Sequence, residues 1–191
     1  MLKEYTDESF TGLGSDGRDR DHSEVSYEDC HFVKCNFASA KFVRARLLNC
    51  TFESCDLSNV DLTSATIRDL KAVDCKLLGI NWAAASQIST LVFATCILNY
   101  SNFSGLQLPR VRWSRCSALD VELAETNLSG ADLRGCDFKG ARFAHTNLAK
   151  ADLRGATNYS IRAPDNTLTQ ARFSMPEATL LLYGLGIQIE E

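Results

Sequence analysis

Proline is scarce in this 191-residue chain, at three residues, and methionine and tryptophan are scarcer, at two each. Histidine is nearly missing. His22, His31 and His145 lie far apart, on positions expected to be outward or terminal, which leaves little material for a metal centre or a proton relay. There is no basic excess either, because 20 Lys and Arg stand against 24 Asp and Glu, for a net charge of −4. That argues against a general binder of nucleic acid or anionic membrane, so no direct nucleic-acid contact is expected. No apolar run approaches the ~20 residues that span a bilayer. The opening Met-Leu-Lys-Glu-Tyr-Thr-Asp-Glu holds nothing like the apolar core of an export signal. The chain is therefore expected in the cytoplasm, away from membranes, with its eight cysteines reduced.

What the sequence does have is a period. A large apolar residue recurs every fifth position as Phe32, Phe37, Phe42, Leu47, Phe52, Leu57, Leu62, Ile67, Leu77 and Trp82, with Ala72 filling the gap. A second run, one residue out of phase, begins at Phe93 and passes through Leu98, Phe103, Leu108 and Trp113 to Leu153, with Ala118 the small member. Of the 24 positions in the two runs, 22 are Leu, Ile, Phe or Trp, which settles the period by counting. Five fits neither a helix at 3.6 nor a strand at 2. It fits a chain that turns a corner every five residues, so that four units close a square coil and stacked coils pair as parallel strands.

The residue two before each central one should also point inward and be mostly small, as a crowded corner requires, with Leu70, Ile80, Leu91 and Leu106 the larger members. That slot reads Cys30, Cys35, Ala40, Ala45, Cys50, Cys55, Val60 and Ala65, then later Val121, Thr126, Ala131, Cys136 and Ala141. All eight cysteines fall in it. The expected fold is all-β: a quadrilateral parallel β-helix over residues 25–174, preceded by an acidic cap or arm over 1–24 and followed by a short helix and strand over 175–191.

Two features interrupt the pattern. The phase slips within residues 83–92, through either a one-residue bulge or a six-residue loop. A loop there would offer Ser86, Gln87, Ile88 and Thr90 to a partner. At the far end, Ser174 is positioned as an N-cap and Pro176 as a first-turn residue for a helix through Leu180–Tyr183, stopping at Gly184 or Gly186. A strand at Ile187–Ile189 would follow. Leu180, Leu181, Tyr183, Leu185, Ile187 and Ile189 would then form either a cap or a dimer interface.

Candidate chemistry is thin. Gly12 to Gly17 spells G-x-G-x-x-G, but no βαβ unit surrounds it, so a loop is the expectation. The cysteines recur one coil apart, as in Cys35, Cys55 and Cys75, without ligand spacing, so they read as buried thiols rather than disulfides or a metal site. No catalytic residues, metal or cofactor are expected. Charge is patterned: residues 119–132 hold Asp120, Glu122, Glu125 and Asp132 with no basic residue among them, and residues 133–154 reverse the sign. These blocks read either as solvated faces or as an acidic stripe for a basic partner.

The units Ala131-Asp-Leu-Arg-Gly, Cys136-Asp-Phe-Lys-Gly, Thr146-Asn-Leu-Ala-Lys and Ala151-Asp-Leu-Arg-Gly resemble the A(D/N)LXX pattern of the pentapeptide-repeat family, which implies that the four-sided β-helix is right-handed. Within it, the run from Val73 to Trp82, Cys96-Ile-Leu-Asn and the tail from Ala171 to Leu181 resemble the albicidin-immunity and Qnr-type topoisomerase-protecting members. That resemblance implies a homodimer formed through the C-terminal helix and strand. It also implies binding to DNA gyrase and, for some members, topoisomerase IV, with protection from drugs that trap the cleaved complex. Acidic groups would stand in for duplex phosphates, and Asp56, Asp61, Asp69, Asp120, Glu122 and Glu125 are the candidates for that surface. The other expectation is a structural pentapeptide-repeat scaffold for a different protein partner.

Overall fold

The structure, a computed structural model, describes residues 3–15 and 20–185. Nine strands carry its regular pairing: Lys3–Thr6 (β1), Ser9–Thr11 (β2), Val25–Glu28 (β3), His31–Val33 (β4), Arg46–Leu48 (β5), Thr51–Glu53 (β6), Thr66–Val73 (β7), Gln87–Ala94 (β8) and Arg112–Ser114 (β9). Every pairing is parallel, between residues about one lap apart. Beyond β9 the same register continues as single bridges, Arg112 to Asp132, Asp152 and Arg172. This is a right-handed parallel β-solenoid with four faces. Their inward columns pass through Phe32, Phe37, Phe42 and Leu47, here the first to fourth faces.

The corners follow from backbone sterics. Two residues after each central one, the chain enters the left-handed region, as at Arg44 (φ 55°), Asn59 (φ 55°) and Asp120 (φ 52°). At many corners the central carbonyl accepts from the N–H three residues on, as Phe42 does from Ala45 at 3.0 Å. The third residue of such a turn needs positive φ. The strain of a non-glycine residue there is offset because its own N–H reaches the next lap, as Arg44 N does to Thr63 O at 2.9 Å.

Packing inside the coil is continuous. Phe10, Phe32 and Phe52 stack in register on the first face, with ring centroids 5.0 and 4.7 Å apart. Trp82 and Phe103 do the same on the third, at 5.5 Å. Aromatic stacks of this kind contribute roughly 0.5–1.5 kcal/mol each beyond the area they bury. All eight cysteines are free and buried. Because the phase slip is taken up between laps, Cys96 stacks on Cys75, and Cys35, Cys55, Cys75, Cys96, Cys116 and Cys136 form one unbroken column.

The slip itself is an insertion of one residue at a corner. A 3-10 turn over Trp82–Ala84 and the following Ala85 widen that corner. Leu47 pairs with Ile67 in the lap below, but Ile67 then pairs with Ile88, one position later than the period demands. No loop projects there. The N-terminal segment differs from a simple cap: β1 and β2 add a further partial lap beneath β3 and β4, with Tyr5 stacked on Tyr27 at 5.2 Å. Tyr5 and Phe10 keep the fivefold spacing, so the repeat begins earlier than its obvious run. His22, expected on an outward or terminal position, is buried at the bottom of the third column. It stacks on Phe42 at 4.8 Å with Nδ1 2.8 Å from the Tyr27 hydroxyl.

At the other end, a 3-10 turn over Glu177–Thr179 leads into one short helix, Leu180–Tyr183 (α1). Ser174 is not its side-chain cap. Its Oγ accepts from the Gly155 N–H at 2.9 Å, tying the tail to the lap below. The expected strand at Ile187–Ile189 lies outside the described residues.

Candidate functional site

The interior offers no room for chemistry. Every inward column from Phe32 to Leu153 is filled, and among the described residues no group of His, Cys, Asp or Glu is arranged to hold a metal ion. No helix among them is long and apolar enough to cross a membrane. Gly12–Ser15 form a turn after β2. Gly14 is there because a Cβ would collide with the Asn36 carbonyl oxygen of the next lap; Gly17 lies outside the described residues. Among the described residues, the polar and charged side chains left for recognition stand on the outer faces.

The six candidate carboxylates occupy two sides of the rod. Asp56 is on the second face, Asp61 and Glu122 are on the third, and Asp120 and Glu125 sit at the corners that bound the third. Asp69 stands apart, at the corner between the fourth and first faces in the middle of β7. The solenoid therefore brings five of the six together along adjacent faces and sends the sixth to the opposite edge.

Their electrostatics divide them again. Asp56 has Lys76 one lap above at 3.7 Å, and Glu122 has Arg142 one lap above at 3.1 Å. Asp61 accepts from the Thr63 hydroxyl at 2.6 Å and backbone N–H at 2.9 Å, which holds its carboxyl below the usual aspartate range, and Lys41 pairs with it in register from the lap below. Asp132, which the linear sequence leaves without a basic neighbour in its block, is gripped by Arg134 through two bonds of 2.7 Å. Asp69, Asp120 and Glu125, all exposed, make no ion pair among the described residues. Of the five on the adjacent faces, Asp120 and Glu125 are the two whose charge is presented outward without an ion-pair partner. A linear window misses this arrangement, because Lys41, Lys76 and Arg142 come from one lap away and Arg134 lies just past the acidic block.

Around the widened corner the side chains are engaged in the wall. Ser86 Oγ donates to the Ala65 carbonyl at 2.9 Å, and Gln87 Oε1 accepts from Arg68 at 2.8 Å. Ile88 is half-buried and Thr90 marks a left-handed corner (φ 39°). Above them the ladder is open: β8 meets β9 only from Val92 onward, and the laps at 87–90 and 107–110 part to leave a groove of about 300 Å³ lined by Ile88, Leu91, Leu108 and Pro109.

The C-terminal tail holds four of the seven exposed large apolar residues among those described, Met175, Leu182, Tyr183 and Leu185. Leu180 and Leu181 are half-buried against the last lap, while Leu182, Tyr183 and Leu185 face outward with Met175, which is 73% exposed. Beneath α1 a hollow of about 890 Å³ is lined by Lys139, Tyr159, Arg162 and Tyr183. The Tyr159 hydroxyl is buried there without a hydrogen-bond partner, and burial pushes its pKa up to about 12. Ile187 and Ile189 lie outside the described residues.

Comparison with known proteins agrees with this architecture. One family model, described as a pentapeptide repeat region, matches residues 25–103, and a second, eight copies of the pentapeptide repeat, matches residues 120–157. Together they account for well over half of the chain. Among solved structures, trypsin-treated QnrB1, a plasmid-mediated fluoroquinolone resistance protein, superposes with a TM-score of 0.79 at 22% identity, covering 100% of this chain and 92% of that one. Full-length QnrB1 gives 0.69 at 21% identity over 96% of this chain and 100% of that one. Among curated proteins, none matches the sequence.

Proposed function

This chain belongs to the pentapeptide-repeat family, and from that footing we propose that it is a cytoplasmic, homodimeric binding protein that protects DNA gyrase from drugs that trap its cleaved complex. It acts by contact and not by catalysis. The observation that carries the reading is the likeness of its fold, over the length of the chain, to a fluoroquinolone resistance protein. The outward chemistry supports it: a rigid rod presents Asp120 and Glu125 uncompensated, with Glu122 between them on the same lap. Such a cluster is suited to a basic surface that otherwise holds phosphates. The exposed apolar residues of α1 suit a second copy of the chain.

The test is a supercoiling assay. Gyrase inhibited by a fluoroquinolone should recover supercoiling as the protein is added in excess, with fewer cleaved complexes on the gel. No recovery with any gyrase poison, together with no measurable binding to gyrase, would discard the reading. A second reading, a scaffold for another protein partner, draws on one observation. The partnering of Asp56, Asp61 and Glu122 by cations gives an alternating ladder more like a protein-binding face than a line of phosphates.

A further inference from the structure

On the first face the charge changes sign halfway up the rod. Below Phe93 that face and its corners carry Asp29, Glu53, Asp69 and Asp74 against Lys34 and Lys71. Above it, Arg112, Arg134, Arg154 and Arg172 lie on the face, and Arg110 and Arg115 stand at its two corners. Lys150 joins them at the corner two laps above Arg110, and only Asp132 and Asp152 oppose the set. All seven cations are exposed. The net charge of −4 thus conceals a strongly basic half-face.

The two carboxylates orient this charge more than they cancel it. Arg134 and Arg154 each grip the aspartate two residues before them with Nε and Nη2, at 2.7 and 2.7 Å and at 2.8 and 2.6 Å. Asp132 and Asp152 pair in register one lap apart, so two guanidiniums are held roughly 4.8 Å from each other. Each keeps N–H donors free of its aspartate, in a fixed fork that suits an oxyanion. Arg110, Arg112, Arg115 and Lys150 make no ion pair at all among the described residues. Stacked like charges repel, and a polyanion laid across them relieves that.

We propose that this upper half of the first face binds the phosphate backbone of duplex DNA without reading its sequence. From Arg112 to Arg172 is three laps, roughly 14 Å. Over that length the near strand of B-DNA presents about four phosphates, and the face offers one arginine per lap, Arg112, Arg134, Arg154 and Arg172, with Arg110, Arg115 and Lys150 at its corners. A peptide is the poorer fit. Between the cations the face offers only Ser114, Gly135, Gly155 and Ser174, and the apolar groove at Leu108 and Pro109 opens on the neighbouring fourth face. The acidic cluster at Asp120 and Glu125 flanks a different face, so both surfaces can be occupied at once. The proposal stands apart from the gyrase reading and is tested without gyrase.

The experiment is fluorescence anisotropy with a labelled 20-base-pair duplex and the full chain, repeated from 50 to 200 mM salt. Saturable binding is expected, with log K falling against log salt at a slope of about −3 to −4, as four phosphate contacts require. The triple variant Arg110→Glu, Arg112→Glu, Arg115→Glu should weaken binding at least tenfold. The control Lys34→Glu, Arg46→Glu, Lys71→Glu makes the same change in net charge elsewhere and should stay within twofold. Glu125 already occupies a left-handed corner, so glutamate at 110 and 115 is compatible with the backbone, and a melting curve confirms folding. No binding by the unaltered protein, or equal losses in both triples, would overturn the proposal. Equal affinity for polyglutamate of matched charge would overturn it too, in favour of an acidic protein partner.

Discussion

If the cysteine column is as the structure has it, native thiols should be almost inert, and alkali should unfold the protein well before it damages it. Burial pushes Cys50 from an ordinary 9.0 up to about 12. In the six-membered column, hydrogen bonds between thiols together with burial move Cys96 and Cys116 up to about 12 as well. Cys136, at the column's end, moves the other way, because the Cys116 hydrogen bond favours its thiolate; full burial still shields it from reagents. At pH 8 a thiol with a pKa near 12 is about a thousandfold less ionised than one at 9, and the thiolate is the reactive form. A chromogenic aromatic disulfide should therefore titrate close to none of the eight cysteines in the native protein and all of them in guanidinium.

Stability carries the same signature. These thiols are raised in the folded state, so the folded chain holds protons that the unfolded chain has released between about pH 9 and 12. Their contribution is intact below pH 9 and is lost as pH rises, at roughly 1.4 kcal/mol per unit for each thiol. For Cys50, Cys96 and Cys116 together, that is about 4 kcal/mol by pH 10, a large part of a typical domain's roughly 5–15 kcal/mol. Melting temperature should be flat from pH 7 to 8.5 and fall steeply above 9. A flat profile to pH 11, or two or more thiols reacting within minutes at pH 8, would refute the stacked column.

Three more outcomes are expected. Asp120→Lys with Glu125→Lys should reduce drug protection of gyrase at least tenfold and slow association, with little change in melting, because Lys34 and Lys150 already sit at left-handed corners of this chain. Tyr183→Glu, at a residue 59% exposed, should leave the solenoid folded but shift the chain from dimer to monomer by light scattering. Phe52→Ala removes a fully buried ring stacked 4.7 Å from Phe32 and should cost about 3–5 kcal/mol. In a solenoid each lap touches only its neighbours, so hydrogen exchange should rise near residues 32–72 and stay unchanged near 133–153.

The architecture was legible because its two strongest signals are local. A large residue every five positions and a small one two before it reflect a geometry that repeats within a single unit. Tyr5 and Phe10 obey that spacing too, but one pair between polar residues is too short a run to mark a lap. The turn at Trp82–Ala84 was ambiguous for a different reason. A one-residue slip is the same in the sequence whether the extra residue widens a corner or seeds a loop. Only the register of β8 on β7, with Ile88 against Ile67, decides it. The tail was misread at Ser174, whose position suggests a cap while its hydroxyl serves the lap below.

The charges show most clearly where linear reading fails. Residues 119–132 look uniformly acidic along the chain, yet Glu122 finds Arg142 one lap above and Asp132 is held by Arg134 just past the block. Residues 133–154 look basic but distribute their cations over different faces. In a square solenoid the neighbours that set a residue's field are those one lap up and down, and successive units along the chain point in four directions. An acidic block in the sequence is thus no acidic patch on the surface. What a partner meets is a column, and read by columns two features stand out among the described residues: the unpaired carboxylates at Asp120 and Glu125, and the excess of cations on the first face from Arg110 to Arg172. Charge reversal in the first set should change drug protection and leave DNA anisotropy unaltered, and reversal in the second should do the opposite. Loss of both activities from either set would mean that the two faces serve a single partner.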